Sequence, residues 1–189
     1  MLGVLTILAI LLGIVLSIIP LTQHTAEKQK AATEANALVQ ALMHYRQVYG
    51  KWPCEEANSN GNPFVAGLAT NDELFTTNAF ESADGTSIVC TPDIDQAQIV
   101  RALQPDSPEN PRRLLFLTLS SQACDTNGYW LDPWNHPYRI VMDAEQIVFH
   151  FGTDLVFSNL PAFVISLGPP IANPVSSHSN WIFSAGVRP

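Results

Sequence analysis

The sequence predicts an α+β fold, in which a long N-terminal helix leads into a small antiparallel β-sheet. Three observations carry this. Between Pro20 and Gly50 the chain is rich in good helix formers and holds no further glycine or proline. Four short runs, residues 138–142, 146–151, 163–166 and 181–184, are β-branched and aromatic and are separated by turn signals. Helix first and strands afterwards is the α+β order.

The helix has two halves of different character. Residues 1–23 contain no charged side chain and begin "MLGVLTILAILLGIVLSIIPL". About 20 apolar residues at roughly 1.5 Å each match a hydrocarbon core of about 30 Å, so this half is expected to span a membrane. Pro20 is compatible with a membrane helix. A cleaved secretory signal fits less well, because a basic leader region and an A-x-A-like site are missing and the apolar run is too long. Residues 24–50 are amphipathic: Leu38, Leu42, Tyr45 and Tyr49 form one stripe with Val39 and Met43 beside it. One helix from about Leu2 to Tyr49 is expected, ended by Gly50 at C′ and kept from resuming by Pro53.

Residues 51–189 are expected to form the globular part. The stretch "CEEANSNGNPFVAG" reads as a loop by its Asn, Gly and Pro content. Residues 71–80 predict a short helix capped by Asn71 or Asp72. Prolines at 92, 105, 108 and 111 leave room only for short elements, of which residues 93–103 are the best helix. Residues 112–119, "RRLLFLTL", suit a strand or a helical turn.

Composition excludes some functions. The chain has 189 residues and a formal net charge of −8, with three lysines and no basic stripe, so nucleic acid is not an expected partner. Cys54, Cys90 and Cys124 lack zinc-ligand spacing; one disulfide with a thiol left over and three unpaired thiols both remain open. No nucleophile elbow or phosphate-cradling loop occurs, and His24, His44, His136, His150 and His178 are scattered. Asp132 and Asp143 read as turn caps or solvated side chains rather than as an acid–base pair. The chain is expected not to be an enzyme.

The densest motif is "GYWLDPWNHPYRIVMD", residues 128–143. Asp132 can accept from backbone amides two residues on, and Pro133 and Pro137 pre-set φ. Trp130, Trp134 and Tyr138 offer flat surfaces able to cover a helix flank. A rigid corner at the start of the sheet is the favoured reading. A sugar- or peptide-binding aromatic loop is the alternative.

Together these features resemble the type IV pilin-like proteins, and within them the major pseudopilins of type II secretion systems. The resemblance rests on the apolar helix with Pro20, on "ALMHYRQVYGKWP", on "LDPWNHPYRI" and on the closing "WIFSAG", in that order over nearly the whole chain. In the second motif Ala41, Leu42, Tyr45, Gly50, Trp52 and Pro53 match the family's helix end. In the third, Asp132, Pro133, Trp134, Pro137 and Tyr138 match its D-P-W corner, with Asn135 where glycine is usual.

The resemblance implies a pilin-like fold with a single-pass anchor in the inner membrane and a periplasmic C-terminal domain. It also implies a filament of self-associated copies and other pseudopilins, working with the secretion machinery in protein export. Leu8 and Ile14 would then lie in the helix that packs between subunits. Family members begin with a basic leader, a cleavage site before an N-methylated Phe and a Glu at the fifth mature position. None is present here, which leads us to expect a start upstream of Met1. Calcium, bound in many major pseudopilins by acidic residues after the final S-x-G, is not expected: "VRP" follows Gly186, so no cofactor is assigned. A minor or adhesive pilin, or a membrane-tethered binding module, is the alternative function.

Overall fold

The computed structural model describes residues 2–57, 64–67, 80–82, 87–88, 94–119, 123–142, 147–151, 155–158, 160–169 and 181–184. Helix α1 runs unbroken from Leu2 to Tyr49, 48 residues, through Pro20. At roughly 1.5 Å per residue it is about 70 Å long. Side chains of residues 1–22 lie outside the described residues, and so do the surroundings of Leu8, Ile14 and Pro20. Among the residues whose side chains are described, which in α1 begin at Gln23, no helix is long and apolar enough to cross a membrane.

The amphipathic half packs as its spacing predicts. Ala31, Ala35, Leu38, Leu42 and Tyr45 are fully buried, while Tyr49, Val39 and Met43 flank them half-buried. Burying leucines such as Leu38 and Leu42 contributes about 2 kcal/mol each. The helix ends where expected. Gly50 adopts φ +73°, and its N–H donates to the Arg46 carbonyl at 2.7 Å, the left-handed cap that closes a helix. A Cβ at Gly50 would meet nothing within 4 Å, so the backbone angle alone asks for glycine.

Among the described residues nine strands follow: β1 (Phe64–Gly67), β2 (Phe80–Ser82), β3 (Ser87–Ile88), β4 (Ile94–Asp95), β5 (Arg139–Met142), β6 (Ile147–Phe151), β7 (Leu155–Ser158), β8 (Ala162–Ser166) and β9 (Ile182–Phe183). They form two sheets, ordered β4-β1-β5-β8-β9 and β3-β2-β6-β7. Every pairing among the described residues is antiparallel except β1 with β4. Helix α1 lies against β8 and β9. Ile140 stands opposite Val164 and Met142 opposite Ala162, and all four join the core under the helix. Val141, Phe163 and Ile165, on the other face, are buried too.

The α+β class is therefore as predicted, and the four expected strands appear as β5, β6, β8 and β9. Other readings need correction. Two sheets replace one, and a parallel pair interrupts the antiparallel order. The presumed loop after Pro53 holds a 3-10 turn, Glu55–Ala57, and strand β1. Pairing of Phe64–Ala66 with Ile140–Met142 overrides the local Asn, Gly and Pro content. The helix within 93–103 is shorter, α2 (Gln96–Ala102), because Ile94 and Asp95 pair with β1. Residues 112–119 are neither strand nor helix; side chains, described below, satisfy part of their backbone. Most of the helix expected at 71–80 lies outside the described residues, though Phe80 opens β2. Strand β7, paired with β6, was not anticipated.

Candidate functional site

Apart from Leu8, Ile14 and Pro20, whose surroundings lie outside the described residues, the site residues expected from the sequence gather in two places, the corner before β5 and the C-terminal end of α1. At the corner Asp132 is buried, 4% exposed. Its Oδ1 accepts from the amides of Trp134 and His136, both at 2.9 Å. Its Oδ2 accepts from the Ser166 hydroxyl at 2.6 Å. Ser166 in turn accepts from the Gly168 amide at 3.1 Å. The Asp132 amide donates to His136 O at 2.8 Å, and the Asn135 amide donates to Asp132 O at 3.0 Å. Asn135 has φ +66°, a left-handed position that asparagine tolerates. Pro133 and Pro137 flank the turn half-buried, and Leu131 bridges to Pro137.

One carboxylate thus ties the turn to itself and to the end of β8. Asp132, Ser166 and His136 also invite comparison with a nucleophile relay. A relay needs the serine proton on histidine and the carboxylate behind it. Here Ser166 gives its proton to Asp132, and His136 Nδ1 faces the Gly168 carbonyl at 3.2 Å. Ser166 itself is fully buried, so the arrangement holds the corner rather than presenting a nucleophile.

Beside it, Trp130 and Tyr138 meet edge to face with ring centroids 5.5 Å apart, both buried in the core. Gln96, fully buried at the start of α2, grips the Trp130 backbone twice, accepting from its N–H and donating to its C=O, each at 2.9 Å. Trp134 is half-buried. The indole nitrogens of Trp52, Trp130 and Trp134 are buried without a partner among the described residues, so these rings serve through area more than through polarity. Tyr138 reaches α1: its hydroxyl donates to Glu34 Oε2 at 2.7 Å. Sequence reasoning found Asp132, Trp130 and Tyr138, but missed Gln96 and Ser166, whose partners are distant in the chain.

At the end of α1, the Tyr45 hydroxyl donates to the Glu109 carbonyl at 2.6 Å, and the Tyr49 hydroxyl to Asn110 Oδ1 at 2.7 Å. Arg46 stacks over the buried Trp52, its guanidinium carbon 4.5 Å from the ring centroid. The Trp52 amide donates to Glu55 Oε2 at 2.6 Å, and Pro53 is buried beside it. Asn110, also fully buried, uses its whole amide. Its nitrogen donates to the carbonyls of Gln104 and Leu114, and its oxygen accepts from Tyr49 and the Leu114 amide. Nothing in the sequence flagged this residue.

Burial, and then the Glu109 charge, push the Tyr45 hydroxyl up to about 12. Tyr138 is raised by burial and by its bond to Glu34. Burial, then the Glu109 charge, push the Cys54 thiol up to about 11. All three groups are neutral when folded at a pH where the unfolded chain has begun to release their protons. The unfolded state then binds fewer protons, so stability falls as pH rises. Urea midpoints are expected to drop from about pH 9 for the thiol and about pH 10 for the tyrosines, the ordinary values. Tyr45→Phe should flatten the fall between pH 10 and 12. An identical slope in that variant would show that Tyr45 is not the group responsible.

Cys54 and Cys124 are free thiols, which excludes a bond between them; Cys90 lies outside the described residues. Among the described residues no three His, Cys, Asp or Glu side chains gather to hold a metal ion. No protein-family model, curated protein or solved structure matches the chain.

Proposed function

We propose that this chain is a pilin-like structural subunit, a pseudopilin, that assembles through α1 into a periplasmic filament serving protein export. The observation that carries the reading is the distribution of burial along one 48-residue helix. From Ala31 onward the helix is held by the sheet. Residues 23–30 contain no buried side chain, and the uncharged residues before them have the composition of a helix covered on all sides. Such a helix rests in lipid until it leaves, and then must rebury its surface. At roughly 25 cal/mol per Å² of apolar area, packing against copies of itself is the available sink.

The ordered motifs at the helix end and at the D-P-W corner support a pilin-like assignment. A single-pass anchor in the inner membrane with residues 51–189 in the periplasm follows from the same reading. In this reading the corner joins sheet to helix, and its aromatic rings cover the core.

The reading makes a direct prediction. Leu8→Asp or Ile14→Asp should abolish filaments, counted by electron microscopy in cells that produce the secretion machinery. Circular dichroism of the detergent-extracted variant should still report a folded domain. Wild-type filament numbers in either variant would sink the proposal.

A further inference from the structure

Residues 125–129 form a small turn just ahead of Trp130, and the Asp125 carboxylate organises it. Its Oδ1 accepts from the Asn127 amide at 2.9 Å and from the Tyr129 amide at 2.8 Å. Its Oδ2 accepts a longer bond, 3.4 Å, from the Asn127 side-chain nitrogen. Gly128 has φ +90°, an angle that favours glycine, and its N–H donates to the Asp125 carbonyl at 3.1 Å. Asn127 is exposed and helps to line an open groove of about 600 Å³, together with Asp95, Arg101 and Asp106.

The pair Asn127–Gly128 sets a side-chain amide next to a backbone nitrogen that no Cβ shields. Such a pair can react with itself. The Gly128 nitrogen bonds to Asn127 Cγ, and the side-chain nitrogen leaves, taking up the proton that Gly128 gives away to depart as ammonia. The product is a cyclic imide. Water opens it at either carbonyl, which yields aspartate or, with the main chain rerouted through the side chain, isoaspartate. Only water is consumed.

We propose that Asn127 is a self-modification site, an amide that converts to a carboxylate in the folded protein at a rate set by the Asp125 turn. Exposure leaves Asn127 Cγ free to close the ring and open to water. Against this, the Gly128 N–H is held on the Asp125 carbonyl and the Asn127 side chain on Asp125 Oδ2, so the turn opens before attack. Bonds of this kind in an exposed turn are weak in net terms and break often. Conversion then undoes the turn. Where Asn127 donated to Asp125, a carboxylate faces a carboxylate, and an attraction becomes a repulsion. Isoaspartate also adds a methylene to the main chain, which draws the Tyr129 amide away from Asp125 Oδ1. The segment that carries Cys124 to its bridge with Trp130 loosens as a result. None of this depends on how the chain assembles.

The test ages the detergent-extracted full chain in neutral buffer, with the same chain in urea as reference, and maps its peptides by tandem mass spectrometry. Fragment masses separate this pair from the second Asn-Gly pair, Asn60 and Gly61. Aspartate and isoaspartate should accumulate at position 127 of the folded protein, more slowly than in urea, while the buried Asn110 stays intact. Asp125→Ala should raise the native rate about tenfold, the release of two or three weak bonds, and leave the rate in urea unchanged. Asp125→Asn, which keeps the Oδ1 acceptor, should fall between the two. Hydrogen exchange at Tyr129 should be faster in the aged protein than in the fresh one. An unchanged Asn127 in the folded chain, after the urea sample has converted, overturns the proposal. A native rate indifferent to both Asp125 variants overturns the control by the turn.

Discussion

Asp132→Ala is expected to destabilise the folded domain by about 3 kcal/mol, the scale of stranding several buried donors. For a chain of this size that lowers the melting temperature by roughly 10 °C. The carboxylate is the common acceptor for the Trp134 amide, the His136 amide and the Ser166 hydroxyl, and water has little access to replace it. Its loss frees the turn before β5 and the end of β8 together, the two neighbouring strands at the centre of the first sheet. Asp132→Asn should cost less, about 1 kcal/mol, because Oδ1 can still accept from both amides while the new amide donates to Ser166. Thermal melts of the three proteins decide the matter. If Asp132→Ala melts with the wild type, the corner is not what holds these strands, and the aromatic-loop reading regains its ground.

Asn110→Ala should cost a similar amount, about 3 kcal/mol, by leaving carbonyls and hydroxyls of one cluster without partners. The affected groups are the Gln104 and Leu114 carbonyls, the Leu114 amide and the Tyr49 hydroxyl. Asn110→Asp should be no milder, since a carboxylate oxygen would face two carbonyl oxygens where the amide nitrogen now donates. The damage is local, so two readouts are useful. The urea midpoint should fall, and tryptic cleavage after Arg112 or Arg113 should accelerate as the mount of the segment is lost. Unchanged cleavage with an unchanged midpoint would mean that the prolines alone hold these turns.

Much of the helix was legible because its signals are local. The spacing of Leu38, Leu42 and Tyr45 is a property of one helix face, and Gly50 supplies its own terminating geometry. The corner was legible for the same reason: Asp132 acts on amides two and four residues away. What sequence reasoning missed depends on distant partners. Strand β1 sits in a stretch rich in turn residues and exists through pairing with β5 and β4. Gln96 looks like an ordinary polar helix residue until Trp130 closes over it, 34 positions later. Asn110 resembles one more turn residue among prolines, yet Tyr49 reaches it from 61 positions upstream. The "RRLLFLTL" run misled because its residues suited a strand or a helical turn, while its backbone accepts from the Gln104 and Asn110 side chains and donates to the Leu103 carbonyl instead.

The helix also has a mechanical consequence. Beyond Ala31 it is clamped at intervals, by Tyr138 on Glu34 and by the tyrosines that reach Glu109 and Asn110. Between this clamp and the apolar segment, residues 23–30 have no buried side chain to brace them. A pull or twist applied to the apolar end therefore crosses a stretch stiffened chiefly by helical backbone hydrogen bonds before it reaches the sheet. Bending concentrates there, in the manner of a drive shaft with one exposed coupling, and the clamped part turns with the domain as a single body.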